Sequence, residues 1–376
     1  MRSKAQQFKA AGVLPAAFSL FAPQALQLAI PSNVEPGFDR LADPARNSGE
    51  RWNPGNQRFR GAWAAALAFA ATPVLAQPVV PPGAVEQFQH VVGTRVEAVT
   101  ILGGDYGAAG GFYTFRGGDA ARLKISKMGG GGDVAARRPL GMGGLQWAPV
   151  LQGNLGFISA ENEFATGYLQ GNKSVYDVFA MQAGGGARLY FTDQFSAAVA
   201  LSGIYGQTEN EFRAQNSVGE AIKVAASGTY VDWTLETWSA VPSLDLRYTG
   251  QWRTTLVEFS SRFTFFHTES FASTSPVLAV NGDSHTWENK IDVDVPLDWR
   301  LFGHGLRTGG FISRTDVGGS AAAGLNEDNF YTVNGRLVVD LLGRVWKVRW
   351  LGVGASWFSG KHFDGWTAGA DIRIKF

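Results

Sequence analysis

The sequence predicts an all-β protein, a transmembrane antiparallel up-and-down β-barrel of about twelve strands, and three observations carry that expectation. The last eleven residues, Trp366 to Phe376, alternate apolar and polar without a break and end on an aromatic. Runs of the same kind recur from about residue 93 onward. The connections between those runs alternate between short and long. Successive strand side chains point to opposite faces, so each run presents one greasy and one polar face. A greasy outer wall, a polar interior and unequal connections describe a barrel whose outside meets lipid.

Composition agrees. The 376 residues carry a net charge of +1, which leaves no electrostatic footprint for nucleic acid. Cysteine is absent, so disulfide scaffolds and thiolate chemistry are excluded, and an oxidising compartment fits. The 48 glycines and 12 tryptophans suit close strand packing with interfacial aromatic belts. After the N-terminal region no run of 18 apolar residues occurs, so spanning helices are not expected.

The N-terminus reads as an address. Arg58-Phe-Arg60 precedes an Ala-rich apolar run that ends in Val74-Leu-Ala76, then Gln77. That is a basic region, an apolar core and a small-x-small site, with cleavage expected between Ala76 and Gln77. The alternative is a buried Ala-rich helix. A second apolar stretch, residues 10–30, is broken by Pro15 and Pro23. The expected organisation is therefore a non-structured extension or start-site artefact over 1–50 and a signal peptide over 51–76. A short segment or lumen plug over 77–93 and the barrel over 94–376 follow.

Strands are expected at 94–105, 119–127, 147–160, 174–191, 195–208, 230–248, 253–268, 286–297, 305–316, 329–341, 346–358 and 364–376. Ten is the alternative count, because losing one hairpin keeps the number even. Phe195, Ala197, Val199, Leu201 and Tyr205 oppose Ser196 and Ser202. Val257, Phe259, Phe263 and Phe265 oppose Glu258, Ser260, Arg262 and Thr264. Ile291, Val293, Val295 and Leu297 oppose Glu288, Lys290, Asp292 and Asp294. Tyr331, Val333, Leu337, Val339 and Leu341 oppose Asn334, Arg336 and Asp340. Short turns are expected at Thr192–Gln194, Thr249–Gln251 and Leu342–Arg344, and long polar loops near 162–173, 209–227, 270–285 and 317–328. The Gly-dense stretches 103–118 and 129–144 read as connections or kinks. Trp147, Trp252, Trp299 and Trp346 fall beside short turns and Trp287, Trp357 and Trp366 beside long loops, as two interfacial girdles require.

Gly203–Asn210, Ser261–Ser270 and Lys290–Leu297, with the terminal aromatic strand, resemble the solitary outer-membrane autotransporter β-barrel domains of Gram-negative bacteria. The resemblance covers about residues 90–376. It implies a passenger-less autotransporter-type barrel in the bacterial outer membrane with a structural or translocator role. Outer-membrane lipid and lipopolysaccharide would surround it, and the barrel-assembly machinery would read the C-terminal strand through Phe376. Only seventeen residues separate Gln77 from the first expected strand, too few for a secreted domain.

The expected lumen-facing charges are Arg262, Glu288, Lys290, Asp292, Asp294, Arg336, Asp340, Asp371, Arg373 and Lys375. Both signs are present, which favours a cross-lumen network over an ion-selective pore. A small solute channel is the alternative. A rim hydrolase is the second alternative, with His267 or His285 as base, but no Gly-x-Ser-x-Gly occurs, nor an outer-membrane phospholipase or omptin pattern. No cofactor and no metal site are expected: Asp292, Asp294, Asp298 and Asp316 lack calcium-loop spacing. The glycine clusters open no Gly-Lys-Ser/Thr helix.

Overall fold

The computed structural model describes residues 89, 92–93, 108–115, 121–141, 143–164, 170–345 and 348–374. In chain order they form β1 (Ala108–Phe115), β2 (Ala121–Asp133), β3 (Arg138–Pro139), β4 (Gln146–Glu163), β5 (Lys173–Tyr190), β6 (Phe195–Arg213) and α1 (Ser217–Ala226). Then come β7 (Trp233–Trp252), β8 (Thr255–Ser273), β9 (Asn281–Leu301), β10 (His304–Gly319), α2 (Ser320–Leu325), β11 (Asn329–Val345), β12 (Val348–Gly360) and β13 (Phe363–Ile374). Each long strand pairs antiparallel with the next. β2 pairs with β4 and β1 with β13, so the order returns on itself. Among the described residues twelve long strands close a ring, and β3 is a two-residue ribbon on the edge of β4. Closure removes the free edges that an open sheet would expose in lipid.

Alternation sets the two walls. On β6, Leu201 is 62% exposed and its neighbour Ser202 4%. The outward residues Phe195, Ala197, Val199, Leu201, Gly203 and Tyr205 form an apolar stripe of ten residue steps. At about 3.4 Å per step and a tilt near 45°, that stripe covers roughly 25 Å, the height of an outer-membrane apolar band. Gln207, Glu209, Glu211 and Arg213 continue the same face toward the loop end.

Several boundaries differ from expectation. The strand expected at 94–105 lies outside the described residues. The strand that pairs with β13 is Ala108–Phe115, inside the Gly-dense stretch read as a connection. β2 likewise runs through Gly129–Gly132, opposite β4. A Cβ on Gly131 would come within 2.9 Å of the Gln152 Cβ, so here glycine lets two strands approach closely rather than turn. The turn expected at Thr249–Gln251 is part of β7, and the chain reverses instead at Arg253, whose φ of 56° supplies the left-handed residue a tight hairpin needs. Leu342–Arg344 lies within β11. Thr192–Gln194 does form a turn, closed by the Phe191 N–H donating to the Phe195 carbonyl at 3.0 Å.

Two helices occupy loops where none was expected. α1 starts at Asn216, whose side chain accepts from the Gly219 N–H at 2.8 Å, and it buries Ile222 and Ala226 against Phe212 and Val231. α2 is an alanine-rich turn and a half that ends on left-handed Asn326.

Candidate functional site: the barrel interior

Near the short-turn end the inward rows carry ions. Arg188 on β5 donates to Asp245 on β7 at 2.9 Å and to Asp133 on β2 at 3.2 Å. In both cases one strand intervenes. Between Arg188 and Asp245 the registered residue is Ala198, small enough for a guanidinium to lie over it. Arg247 stands 3.2 Å and Arg262 3.8 Å from Asp245, and Arg247 reaches Glu258 at 3.5 Å. The Tyr190 hydroxyl donates to Asp133.

A second network repeats the device. Arg336 on β11 grips Asp292 on β9 with two nitrogens, at 2.9 and 2.6 Å, and reaches Asp294 at 3.3 Å. Gly309 on β10 registers with both Asp294 and Arg336. A Cβ there would sit 3.2 Å from Arg336 Nε and 2.7 Å from the Val293 carbonyl, so the missing side chain is the space the guanidinium crosses. Arg307 pairs with Asp294 at 3.3 Å and stacks 5.3 Å over buried Trp350. Asp371 lies 3.5 Å from Arg336. The two networks meet where Glu258 and Asp292 register across β8 and β9. Arg336 is 7% exposed, so these ions are withdrawn from bulk water and depend on one another.

Toward the loop end the same inner faces turn apolar. Ala180, Ile204, Val241 and Phe266, from β5 to β8, pack with Val317 of β10 and with Ala321 and Leu325 of α2. Leu123, Ile125, Ile158 and Val178 pack with Phe330 of β11 and Phe358 of β12. Phe330 touches both clusters. Opposite walls are thus joined through an apolar septum that lies on the loop side of the ions on β2, β5, β7, β8, β10 and β11. The helix that completes it is held by Glu327, whose carboxylate accepts the backbone N–H groups of Lys361 and His362 at 2.5 and 2.7 Å. His362 Nδ1 lies 2.6 Å from the Asn326 carbonyl.

A third apolar cluster lies at the same end. Val92, 2% exposed, packs with Trp233 and Leu235 of β7 and with Leu278 and Val280 of the loop between β8 and β9. The segment ahead of the barrel therefore reaches the loop-side mouth.

Of the expected interior charges, Arg262, Asp292, Asp294, Arg336 and Asp371 fall in these networks. Lys290 lies 5.3 Å over the Phe311 ring. Glu288 registers with Arg262, and Asp340 is half-buried on the inner face of β11. The Arg373 side chain and Lys375 lie outside the described residues, as do Phe376, Trp346, Ala76 and Gln77. Trp252, Trp287, Trp299, Trp357 and Trp366 are exposed, and Trp147 takes the outward parity of β4. Outward Phe157, Phe179 and Tyr205 form a linked aromatic row, with centroids 5.1 and 6.4 Å apart, that a reading of tryptophans alone omits. Trp233 and Trp350, by contrast, are buried inside.

His267 points outward, with Nδ1 2.8 Å from Asp283 and Nε2 3.2 Å from Glu269. His285 stacks on outward Phe263 at 5.9 Å. A general base keeps one ring nitrogen for its nucleophile, and both nitrogens of His267 face carboxylates.

Closed strand order, an apolar outer stripe and an interior of paired ions define a transmembrane β-barrel of the outer-membrane kind. The sequence matches the family model described as solitary outer membrane autotransporter beta-barrel domain over residues 138–368, and the chain belongs to that family. Its place is the bacterial outer membrane. Similar solved structures include the transport unit of the autotransporter AIDA-I from Escherichia coli, 10% identical, covering 87% of this chain and 100% of that one with a TM-score of 0.48. The β domain of the Bordetella autotransporter BrkA is 14% identical, covering 72% and 100%, with a TM-score of 0.47. The translocator domain of NalP from Neisseria meningitidis is 11% identical, covering 76% and 94%, with a TM-score of 0.39. No curated protein matches the chain.

Proposed function

We propose that the protein works as a closed barrel, structural or translocating in role, and neither as a solute channel nor as an enzyme. The observation that carries this reading is Phe330, which joins two apolar clusters drawn from opposite walls. An ion crossing there would have to shed its hydration shell against methyl and phenyl groups, a cost that unpaired charges in apolar surroundings do not recover. The mixed-sign networks below the septum support the same reading, because their charges are spent on one another instead of on a permeant ion. The outward placement of His267, between two carboxylates, favours a role in the outer wall over catalysis.

In this reading the chain reaches the membrane through a signal peptide cut between Ala76 and Gln77, and the barrel-assembly machinery recognises the strand that ends in Phe376. Lipid and lipopolysaccharide contact the outer stripe. Reconstitution of the full chain in planar bilayers tests the function. The expected trace is silent at moderate voltage. A steady conductance on the nanosiemens scale, open without applied perturbation, overturns the closed-barrel reading in favour of the channel.

A further inference from the structure

On the outer wall, strands β2, β4, β5 and β6 carry two registered rows at the loop-side border of the apolar band. Lys124, Ser159, Asp177 and Glu209 align in one row. Ser126, Phe157, Phe179 and Gln207 align in the next. Together they line a groove of about 420 Å³. Its floor toward the membrane centre is aromatic: Phe157 is 58% exposed, and its ring lies 5.1 Å from that of Phe179. Leu155 and Met181, one step further in on the same outer faces, are exposed and apolar. Beyond the groove on the other side come Glu161, Lys173 and Glu211. The groove therefore lies at the level where lipid headgroups meet acyl chains.

We infer that this groove binds the headgroup of a phosphorylated glycolipid of the outer leaflet. The row has one cationic end, Lys124, and an acidic end, Asp177 and Glu209, with hydroxyl and amide groups between. A phosphate is held by the ammonium at one end, and the carboxylates and Gln207 accept and donate hydrogen bonds with sugar hydroxyls at the other. With neighbouring strands about 4.8 Å apart, the three steps from β2 to β6 separate the two ends by about 14 Å, the span of a headgroup longer than a single phosphate ester. Phe157 and Phe179 offer an apolar face to the acyl chains or to a sugar ring. A plain anionic phospholipid meets the lysine, but any headgroup hydroxyl it carries sits beside its phosphate, too short a reach for Asp177 and Glu209 at the far end of the row, so the acidic end selects for sugar.

Native mass spectrometry of the folded full chain, titrated with a phosphorylated glucosamine-based glycolipid, its dephosphorylated form and an anionic diacyl phospholipid, tests the assignment. Wild type is expected to bind the phosphorylated glycolipid most tightly. Lys124→Glu should lose about tenfold in affinity for it, the loss of one charge-assisted contact, and should leave the dephosphorylated form unaffected. Asp177→Asn with Glu209→Gln should weaken both glycolipids and not the phospholipid. Heat-modifiable gel migration of each variant verifies folding, since these exposed side chains pack against no core. Equal binding of all three lipids by wild type, or unchanged glycolipid affinity in every variant, overturns the proposal and leaves only annular lipid contact.

Discussion

Arg188 on β5 reaches Asp245 on β7 at 2.9 Å by passing over the strand between them, where Ala198 holds the registered position. Three arginines converge on that single carboxylate. Removing it breaks the pair at Arg188, which is almost wholly buried and keeps only part of its compensation from Asp133, and breaking a buried ion pair costs about 3–5 kcal/mol. Asp245→Ala is expected to destabilise the barrel by that order in reversible urea unfolding from lipid or detergent. Arg188→Leu combined with Asp245→Leu should lose less than the sum of the single changes, because the pair is removed together. Additive losses would mean that the two groups do not act as a pair.

Gly309 plays the same part for the second network, and more strictly. Alanine there brings its Cβ to 2.7 Å from the Val293 carbonyl and 3.2 Å from Arg336 Nε. The carbonyl belongs to the sheet and cannot swing aside, so Gly309→Ala should cost about 1–3 kcal/mol by overpacking. Gly335, on the same register level of the outer wall, meets nothing within 4 Å, and Gly335→Ala should be close to neutral. Equal unfolding midpoints for the two variants would remove the argument that Gly309 is kept for the arginine crossing.

Glu327 holds the septum to the neighbouring loop. Its carboxylate accepts two backbone N–H groups, and Gly360 leaves the room for it, since a Cβ there would lie 2.8 Å from Glu327 Cδ. Glu327→Ala leaves those donors without their acceptor and frees α2 to leave the lumen. The expected result in planar bilayers is a barrel of unchanged gel migration that flickers between closed and conducting levels. Glu327→Gln keeps one acceptor oxygen and should lie between the two. If Glu327→Ala stays as silent as wild type, the apolar contacts of Ala321 and Leu325 hold the septum unaided.

How far the chain could be read from its residues follows from what periodicity reports. From β4 to β13 the stretch that spans the apolar band and carries the ions alternates apolar outward and polar inward, and the strands lie where that alternation puts them, extended by a few residues. β1 begins Ala-Ala-Gly-Gly, which has no alternation to read, so its strand emerges only from pairing with β13. The septum is hidden for the opposite reason. Phe265 and Phe266 are both aromatic, one on each face, and the inner one is unremarkable until α2 is seen against it. α2 itself, Ser-Ala-Ala-Ala-Gly-Leu, is too short to show a helical period. The charged networks were legible as residues on a face but not as pairs, because each crosses an intervening strand at a small residue. Aromatic belts were found through tryptophan and were incomplete, since phenylalanine supplies Phe157, Phe179 and Phe271 on the loop side.

The absence of cysteine from the whole chain makes the placement of the N-terminal segment directly measurable. Val92 packs on Trp233 and Leu235 at the loop-side mouth, whereas Asp193 lies in a short turn with its side chain 99% exposed. In an outer-membrane barrel the long loops face outward and the short turns face the periplasm. A single cysteine introduced as Gln89→Cys should therefore react with a membrane-impermeant maleimide on intact cells, while Asp193→Cys should react only once the outer membrane is breached. Gln89 is half-buried, so its labelling should be slower than that of a fully exposed loop site such as Val224→Cys, 84% exposed on α1. Val92→Asp places a charge among Trp233, Leu235 and Val280 and should speed labelling at position 89 without altering the migration of the barrel. Labelling at 89 that waits for permeabilisation, as at 193, would mean that the segment approaches the barrel from the periplasmic side and that the Val92 contact is not made in the membrane.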